Sequence, residues 1–275
     1  MPDLTAAEDL HQASNGLRVA ALEALYAVGA GGLYVSGASD ALTRLLSTPI
    51  RRRHDRFRGR RTLPVLLLHG LAHNQSWSVK IQRELSASGF VSRAINYHTF
   101  SNSLDQCADI VAEQIFELAE KSQTDRVHVA AHSVGGLVLR AAINRHEDLH
   151  GTVATGVTIG SPHHGTPWAR SVPGLLPKVG RLIEELRPGS ATLAALDAAT
   201  RAGGTKWISI WSTSDEIVPG NSGRLDHAAL DVEQIELSGL GHYGITYNER
   251  GVDAIVRSLT QADNALAAAR HIVAG

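Results

Sequence analysis

Cysteine is almost absent from this 275-residue sequence, which contains Cys107 alone and so cannot form an internal disulfide. Stability must therefore come from packing, and the composition is compatible with a reducing compartment. Cys107 falls on the apolar face of a predicted helix, which favours a buried and chemically inert thiol.

Long hydrophobic runs are also missing. The uncharged stretch at residues 24–39 has sixteen residues with four glycines, whereas about 20 apolar residues are needed to span a bilayer. The first nine residues lack the basic and apolar regions of a secretory signal. The sequence therefore predicts a cytoplasmic protein with neither a transmembrane helix nor a cleaved signal peptide.

Neither sign of charge predominates, because 26 basic residues are set against 27 acidic ones and the net charge is −1. No global field therefore draws the chain to nucleic acid. The glycine motifs that bind phosphates or dinucleotides are absent as well, and we expect no cofactor. With 43% hydrophobic and 19% charged residues, the composition is typical of a globular chain.

After residue 61, short apolar runs alternate with segments of helical periodicity. This alternation predicts an α/β fold in which helices flank a central, mostly parallel sheet. We expect strands at 63–69, 91–97, 126–132, 153–161, 206–214 and 234–240, and helices at 77–88, 104–121, 134–144 and near 252–259.

Residues 1–61 are predicted to be an N-terminal helical extension, which leaves residues 62–275 as the main domain. Residues 17–46 are apolar with glycine breaks, and seven arginines follow within residues 51–61. An apolar segment beside a basic one is typical of peripheral attachment to a membrane with anionic lipid. The alternative is that extra helices pack on the domain and that the arginines form a solvated linker.

Residues 162–204 show no strand pattern and contain five prolines. A long insertion between two strands is typical of a functional cap or lid, and a crossover that carries its own helices is the alternative. Within this insertion, helices are predicted at 179–186 and 191–202.

The pentapeptide Ala-His-Ser-Val-Gly, centred on Ser133, lies where a predicted strand gives way to a predicted helix. A sharp strand-to-helix turn exposes a serine hydroxyl, and it needs small residues such as Ala131 and Gly135 on either side. The helix N-terminus also favours the negative charge that develops during reaction. Ser133 is thus predicted to be a nucleophile. A simple helix cap is the alternative, but a cap does not require small neighbours.

A serine on such a turn is followed in sequence by an acid and then by a histidine. We select His242, which lies in a glycine-flanked loop after the last predicted strand. His227 follows the acid with no strand between them, and His271 lies in an alanine-rich terminal helix. Asp215 is the predicted acid, because it ends a strand where it can orient a histidine ring, and Glu216 is its nearest rival.

Two backbone amides, those of Leu71 and Val134, are predicted to bind the oxyanion of the reaction intermediate. Val134 follows the nucleophile directly. Leu71 lies in the loop after the first strand, where Gly70 permits close approach of the backbone. A simple His-Gly turn is the alternative for that loop.

Taken in order, these pieces resemble the α/β-hydrolase superfamily, in its bacterial lipase/esterase type with an Ala-His-Ser-x-Gly nucleophile motif. The resemblance implies an α/β-hydrolase fold and the hydrolysis of carboxylic esters through an acyl-enzyme, with Ser133, Asp215 and His242 as the catalytic triad. Alanine at position 131 replaces the usual glycine, and residues 1–60 have no counterpart. The matching segments are 64–70, 131–136, 160–166, 188–190, 214–219 and 241–244.

We therefore expect a serine lipase or esterase that acts on lipid-like acyl esters, with Leu175 and Leu176 in an acyl pocket under the cap. The same three side chains could instead transfer the acyl group or cleave a thioester, and a non-catalytic binding scaffold is a further alternative. No metal is expected, because the histidines at 69, 73, 163 and 164 have no acidic partner at ligand spacing.

Overall fold

Six strands pair into one parallel sheet. The computed structural model describes residues 62–71, 73–99, 101–171 and 180–273, and within them every neighbouring pair of strands is parallel. Across the sheet the order is β2-β1-β3-β4-β5-β6. The predicted mostly parallel sheet is confirmed. The strands are β1 (Val65–Leu68), β2 (Ser92–Ala94), β3 (Val127–His132), β4 (Val153–Ile159), β5 (Lys206–Ser212) and β6 (Val232–Leu237).

Helices connect these strands and cover both faces of the sheet. In the described ranges they are α1 (Val79–Ala87), α2 (Leu104–Ser122), α3 (Val134–Arg145), α4 (Leu149–Thr152), α5 (Trp168–Ser171), α6 (Gly180–Glu185), α7 (Ala191–Ala199), α8 (Gly244–Tyr247) and α9 (Glu249–Val273), with 3-10 turns at Gln75–Ser78 and Gly220–Gly223. The predicted extension over residues 1–61 lies outside the described ranges, and so do Leu175 and Leu176.

The central strands are buried along their whole length. Every residue of β1, β3 and β4 is inaccessible to solvent, as expected for parallel strands that helices cover on both sides. Side chains of α2 and α3 pack on one face of the sheet, and side chains of α1 and α9 pack on the other.

Two predicted strands at the edges of the sheet differ in extent from those observed. β2 ends at Ala94 rather than at residue 97, because the chain then leaves the sheet and the Tyr97 backbone N–H donates to Nε2 of His69 at 3.3 Å. β6 ends at Leu237 rather than at residue 240, before Gly239 turns the chain with a φ of 69°.

The start of α2 is fixed by a capping box. The Ser103 hydroxyl accepts from the Gln106 backbone N–H at 3.3 Å, and the Gln106 side chain accepts from the Ser103 N–H at 2.9 Å. These bonds satisfy two amides that the helix itself leaves without acceptors. Cys107 is buried on the apolar face of α2, and burial raises the pKa of its thiol to about 12. The predicted burial of Cys107 on this helix is confirmed.

The described part of residues 162–204 is joined firmly to the body of the domain. α7 packs against α3, where the buried Arg140 guanidinium donates to Asp197 at 2.7 Å and the Asn144 side chain donates to the Leu196 carbonyl at 3.0 Å. The assignment of this segment as a cap stays a prediction. Among the described helices, none is long and apolar enough to cross a membrane.

The last helix is tied to the start of the sheet by Asp263. This buried carboxylate in α9 accepts from the Leu63 backbone N–H at 2.8 Å and from His128 Nε2 at 3.2 Å. Replacing it would leave two buried donors without an acceptor, which costs about 1–3 kcal/mol.

We therefore expect Asp263→Ala to lower the free energy of unfolding by about 1–3 kcal/mol. Asp253→Ala is the matched control on the same helix, because Asp253 pairs with Arg257 and both side chains are more than half exposed. Such a pair contributes about 0.3–0.5 kcal/mol. Urea unfolding of both variants measures the difference, and equal midpoints would contradict it.

Candidate active site

Ser133 occupies the sharp turn between β3 and α3. Its backbone has φ 55° and ψ −128°, a conformation that residues other than glycine rarely adopt. The Ser133 side chain makes no capping bond to the first turn of α3, so the alternative interpretation as a helix cap is not supported. The turn instead directs the hydroxyl away from the helix that follows.

Glycines make the space that this turn needs. A Cβ on Gly70 would lie 2.7 Å from Cβ of Ser133, and a Cβ on Gly135 would lie 2.9 Å from the His69 carbonyl oxygen. Either distance is too short for a real contact, because close-packed carbon atoms stay about 3.5–4.0 Å apart. The loop after β1 and the start of α3 are therefore pressed together around Ser133.

The structure brings Ser133, His242 and Asp215 into one hydrogen-bonded chain. Nε2 of His242 lies 3.1 Å from Oγ of Ser133, and Nδ1 of His242 lies 2.8 Å from Oδ2 of Asp215. All three residues are at least nine-tenths buried, with 9%, 3% and 2% of their surface exposed. They follow β3, β6 and β5, whose carboxyl ends meet at one edge of the sheet.

The carboxylate of Asp215 is held in place by backbone amides. Its Oδ1 accepts from the N–H groups of Ile217 at 3.0 Å and Val218 at 2.7 Å, which leaves Oδ2 for His242. The neighbouring Gly160 adopts φ 53°, and a Cβ there would approach Oδ2 of Asp215 to 3.2 Å. Gly160 thus leaves room for the hydrogen bond between His242 and Asp215, a role that our reading of the sequence missed although the residue falls in a matching segment.

The rival residues lie elsewhere. Glu216 is exposed. His227 lies away from this chain of bonds, with Nε2 3.1 Å from the Asp197 carbonyl oxygen. The side chain of His271 falls outside the described part of the structure.

Further aromatic rings surround His242. The His132 ring stacks on Trp77 with centroids 5.4 Å apart, and its Nε2 donates to the His242 carbonyl at 3.3 Å. Burial holds the pKa of His132 well below its usual range, and burial together with repulsion from His242 lowers the pKa of His73 to about 4. The ring of His73 lies 5.4 Å from that of Tyr243. Both histidines are therefore neutral near pH 7.

Sequence reasoning missed this group of rings. The one signal in the sequence was that His132 directly precedes Ser133. Nothing in the position of Trp77 along the sequence indicated that it lies near Ser133.

The two predicted oxyanion donors flank Ser133. Val134 is the first residue of α3, and Leu71 follows Gly70, whose backbone touches Ser133. Within the described ranges, neither backbone N–H donates to a protein acceptor. Their role as oxyanion donors stays a prediction.

No group of three His, Cys, Asp or Glu side chains within the described part of the chain is arranged to hold a metal ion. The side chains that line this site suit acid–base and nucleophilic chemistry.

A parallel sheet with a serine on the turn after a central strand, followed by an acid and a histidine after later strands, is the arrangement of the α/β-hydrolase fold. The chain has this fold. The sequence model of the palmitoyl protein thioesterase family matches residues 64–198. That match includes Ser133 and stops before Asp215 and His242.

Solved structures of lipases share the fold. Lipase B of Aspergillus fumigatus superposes with a TM-score of 0.61 at 20% identity, over 74% of this chain and 54% of its own. The mature form of a Bacillus licheniformis lipase gives a TM-score of 0.61 at 17% identity, over 72% of this chain and 92% of its own. A monoacylglycerol lipase of Paleococcus ferrophilus gives 0.54 at 19% identity, over 73% of this chain and 96% of its own.

This chain thus spans about half the length of the Aspergillus lipase. A comparison with curated protein sequences gives no match.

The strain at Ser133 can be measured with two variants that both lack the hydroxyl. The Cβ of alanine keeps the left-handed backbone strained, whereas glycine adopts it freely. We expect Ser133→Gly to be more stable than Ser133→Ala by about 1 kcal/mol, net of the cost of glycine in the unfolded chain. Urea unfolding of the two variants provides the measurement. A less stable glycine variant would show that the turn is not strained.

Proposed function

We propose that this chain is a serine carboxylic-ester hydrolase of the lipase/esterase type, which cleaves acyl esters through an acyl-enzyme. The observation that carries the proposal is the buried hydrogen-bonded chain from Ser133 through His242 to Asp215. A non-catalytic binding scaffold has no need of all three groups in this order.

In the first half of the reaction, Ser133 Oγ attacks the ester carbonyl carbon while Nε2 of His242 takes the hydroxyl proton. The carboxylate of Asp215 holds the Nδ1–H tautomer and stabilises the imidazolium that forms. The carbonyl oxygen becomes an oxyanion, which the amides of Leu71 and Val134 bind. Each such donor contributes about 3 kcal/mol to lowering the barrier.

The tetrahedral intermediate then collapses. The bond from the carbonyl carbon to the alcohol oxygen breaks, and Nε2 of His242 returns its proton to that oxygen, so that the alcohol leaves and the acyl group stays on Ser133. In the second half, Nε2 of His242 takes a proton from water while the water oxygen attacks the acyl carbon. The bond from that carbon to Ser133 Oγ then breaks, His242 returns the proton to Oγ, and the carboxylic acid leaves.

The substrate class is proposed to be lipid-like acyl esters, on the strength of the lipase structures that share the fold. The match to the palmitoyl protein thioesterase family favours a second candidate, hydrolysis of a thioester by the same residues. Acyl transfer to an alcohol would also use them. A matched oxoester and thioester of one acyl chain, compared by kcat/KM, separates the first two candidates.

Several finer proposals rest on the sequence alone. They are the cap over residues 162–204, an acyl pocket lined by Leu175 and Leu176, peripheral membrane attachment through residues 17–61, and a cytoplasmic location.

Ser133→Ala is expected to lower kcat on a chromogenic ester by at least about 1,000-fold, because it removes the nucleophile. It should also abolish covalent labelling by a fluorophosphonate. Ser258→Ala is the control, since Ser258 lies in α9 and donates only to the Ala254 carbonyl within its own helix. Wild-type protein that neither hydrolyses esters nor becomes labelled would disprove the proposal.

Asp215→Asn is expected to lower kcat by about 10,000-fold, because an amide holds the wrong tautomer of His242. Glu216→Gln removes a carboxylate from the next residue, which is exposed, and should change kcat by less than about twofold. Steady-state assays of both variants on the same ester test the assignment. Similar losses in the two variants would contradict it.

A further inference from the structure

His69 directly follows β1, at the start of the loop that leads to the proposed oxyanion site, and it is fully buried. Nδ1 of its ring lies 2.8 Å from the carbonyl oxygen of Gly70, and Nε2 lies 3.3 Å from the backbone nitrogen of Tyr97. The ring also stacks on that of Tyr97, with centroids 4.2 Å apart. The Tyr97 hydroxyl in turn donates to the His69 carbonyl oxygen.

These contacts determine which ring nitrogen carries the proton. A carbonyl oxygen can only accept, so Nδ1 must be the N–H, and the amide of Tyr97 can only donate, so Nε2 must be the acceptor. A protonated ring would set a second N–H against that of Tyr97. The pKa of His69 is lowered to about 4, chiefly by burial and in smaller part by repulsion from His73 and His98. The neutral form with both bonds therefore persists at neutral pH.

The bond from Nδ1 also orients the next peptide group. A trans peptide is planar, and its C=O and N–H point in opposite directions. Because the Gly70 carbonyl is bonded to the His69 ring, the N–H of Leu71 points away from that ring. The Gly70 Cα lies beside Ser133, since a Cβ built on it would be 3.3 Å from Oγ of Ser133.

Gly70 cannot supply this orientation by itself. The crowding against Ser133 demands glycine at this position, and glycine has little conformational preference of its own. Without a partner for its carbonyl, the peptide between Gly70 and Leu71 can rotate and turn the Leu71 N–H away from Ser133.

We propose that His69 is a positioning residue, whose ring holds the Gly70–Leu71 peptide so that the Leu71 amide faces the oxyanion formed at Ser133. This inference rests on the proposed ester hydrolysis. Loss of a whole oxyanion donor costs about 100–1,000-fold in kcat. A donor that is misplaced for part of the time should cost less, about 10–100-fold.

Three substitutions separate the effect of the Nδ1 donor of His69 from the effect of its aromatic ring. His69→Phe keeps an aromatic ring for stacking on Tyr97 and removes both polar atoms. His69→Asn places an amide N–H close to where Nδ1 donates, and His69→Gln places its amide one bond further, near Nε2. We expect kcat to fall about 10–100-fold in the Phe and Gln variants, with KM changed by less than about threefold. The Asn variant should stay within about threefold of wild type.

An alkyl boronic acid supplies the readout that a purely structural role would not change. It adds reversibly to Ser133 and places an oxygen in the oxyanion site, so its inhibition constant should rise by the same factor as kcat falls. Near-ultraviolet circular dichroism should match wild type in each variant. If the Phe variant does not fold, the ratio of kcat between the Asn and Gln variants tests whether the Nδ1 donor is needed.

The outcomes are distinguishable. Wild-type activity that persists in Ser133→Ala would defeat the proposed function, whatever the His69 variants do. If the proposed function holds, kcat and boronate affinity that stay unchanged in His69→Phe and His69→Gln would overturn the positioning role of His69. Equal losses in Asn and Gln would overturn it as well, because they would show that the ring itself is needed and not its Nδ1 donor.

Discussion

The site at the carboxyl edge of the sheet depends on the left-handed backbone of Ser133. That conformation raises the hydroxyl toward His242, and it brings the loop after β1 so close that position 70 has no space for a side chain. The same crowding deprives the Gly70–Leu71 peptide of any local preference. The strain at Ser133 is thus linked to the need for a buried hydrogen bond from His69 to the Gly70 carbonyl.

Four histidine rings lie near Ser133, and their surroundings give them different chemistry. Burial disfavours the charged forms of His69, His73 and His132. Among these four rings, His242 is the one hydrogen-bonded to a carboxylate, that of Asp215. In the proposed reaction, a proton taken from Ser133 is therefore stabilised on the ring of His242, while the three neighbouring rings stay neutral.

The sequence pattern predicted the parts of this molecule that depend on local chemistry or on strand order. Ser133 is marked by its own small neighbours. Asp215 and His242 could be found because parallel strands end at one edge, which gathers the residues that follow them.

Other features arise only when distant loops meet in the folded chain. No spacing in the sequence links His69 to Tyr97, or Trp77 to His132, because stacking between rings on separate loops leaves no periodic trace. The length of β2 was overestimated for the same reason, since the chain leaves the sheet after Ala94 in order to place Tyr97 beside His69.

The bond from the Leu63 amide to Asp263 joins residues 200 positions apart. During synthesis on the ribosome, the amide of Leu63, two residues before β1, must therefore wait for almost the entire domain to emerge before it finds its acceptor. The sheet adds β5 and β6 late, and His242 arrives after them. A nascent chain thus carries Ser133 for more than a hundred residues of elongation before its hydrogen-bond partner His242 is made, so the site cannot assemble until the last strands are in place.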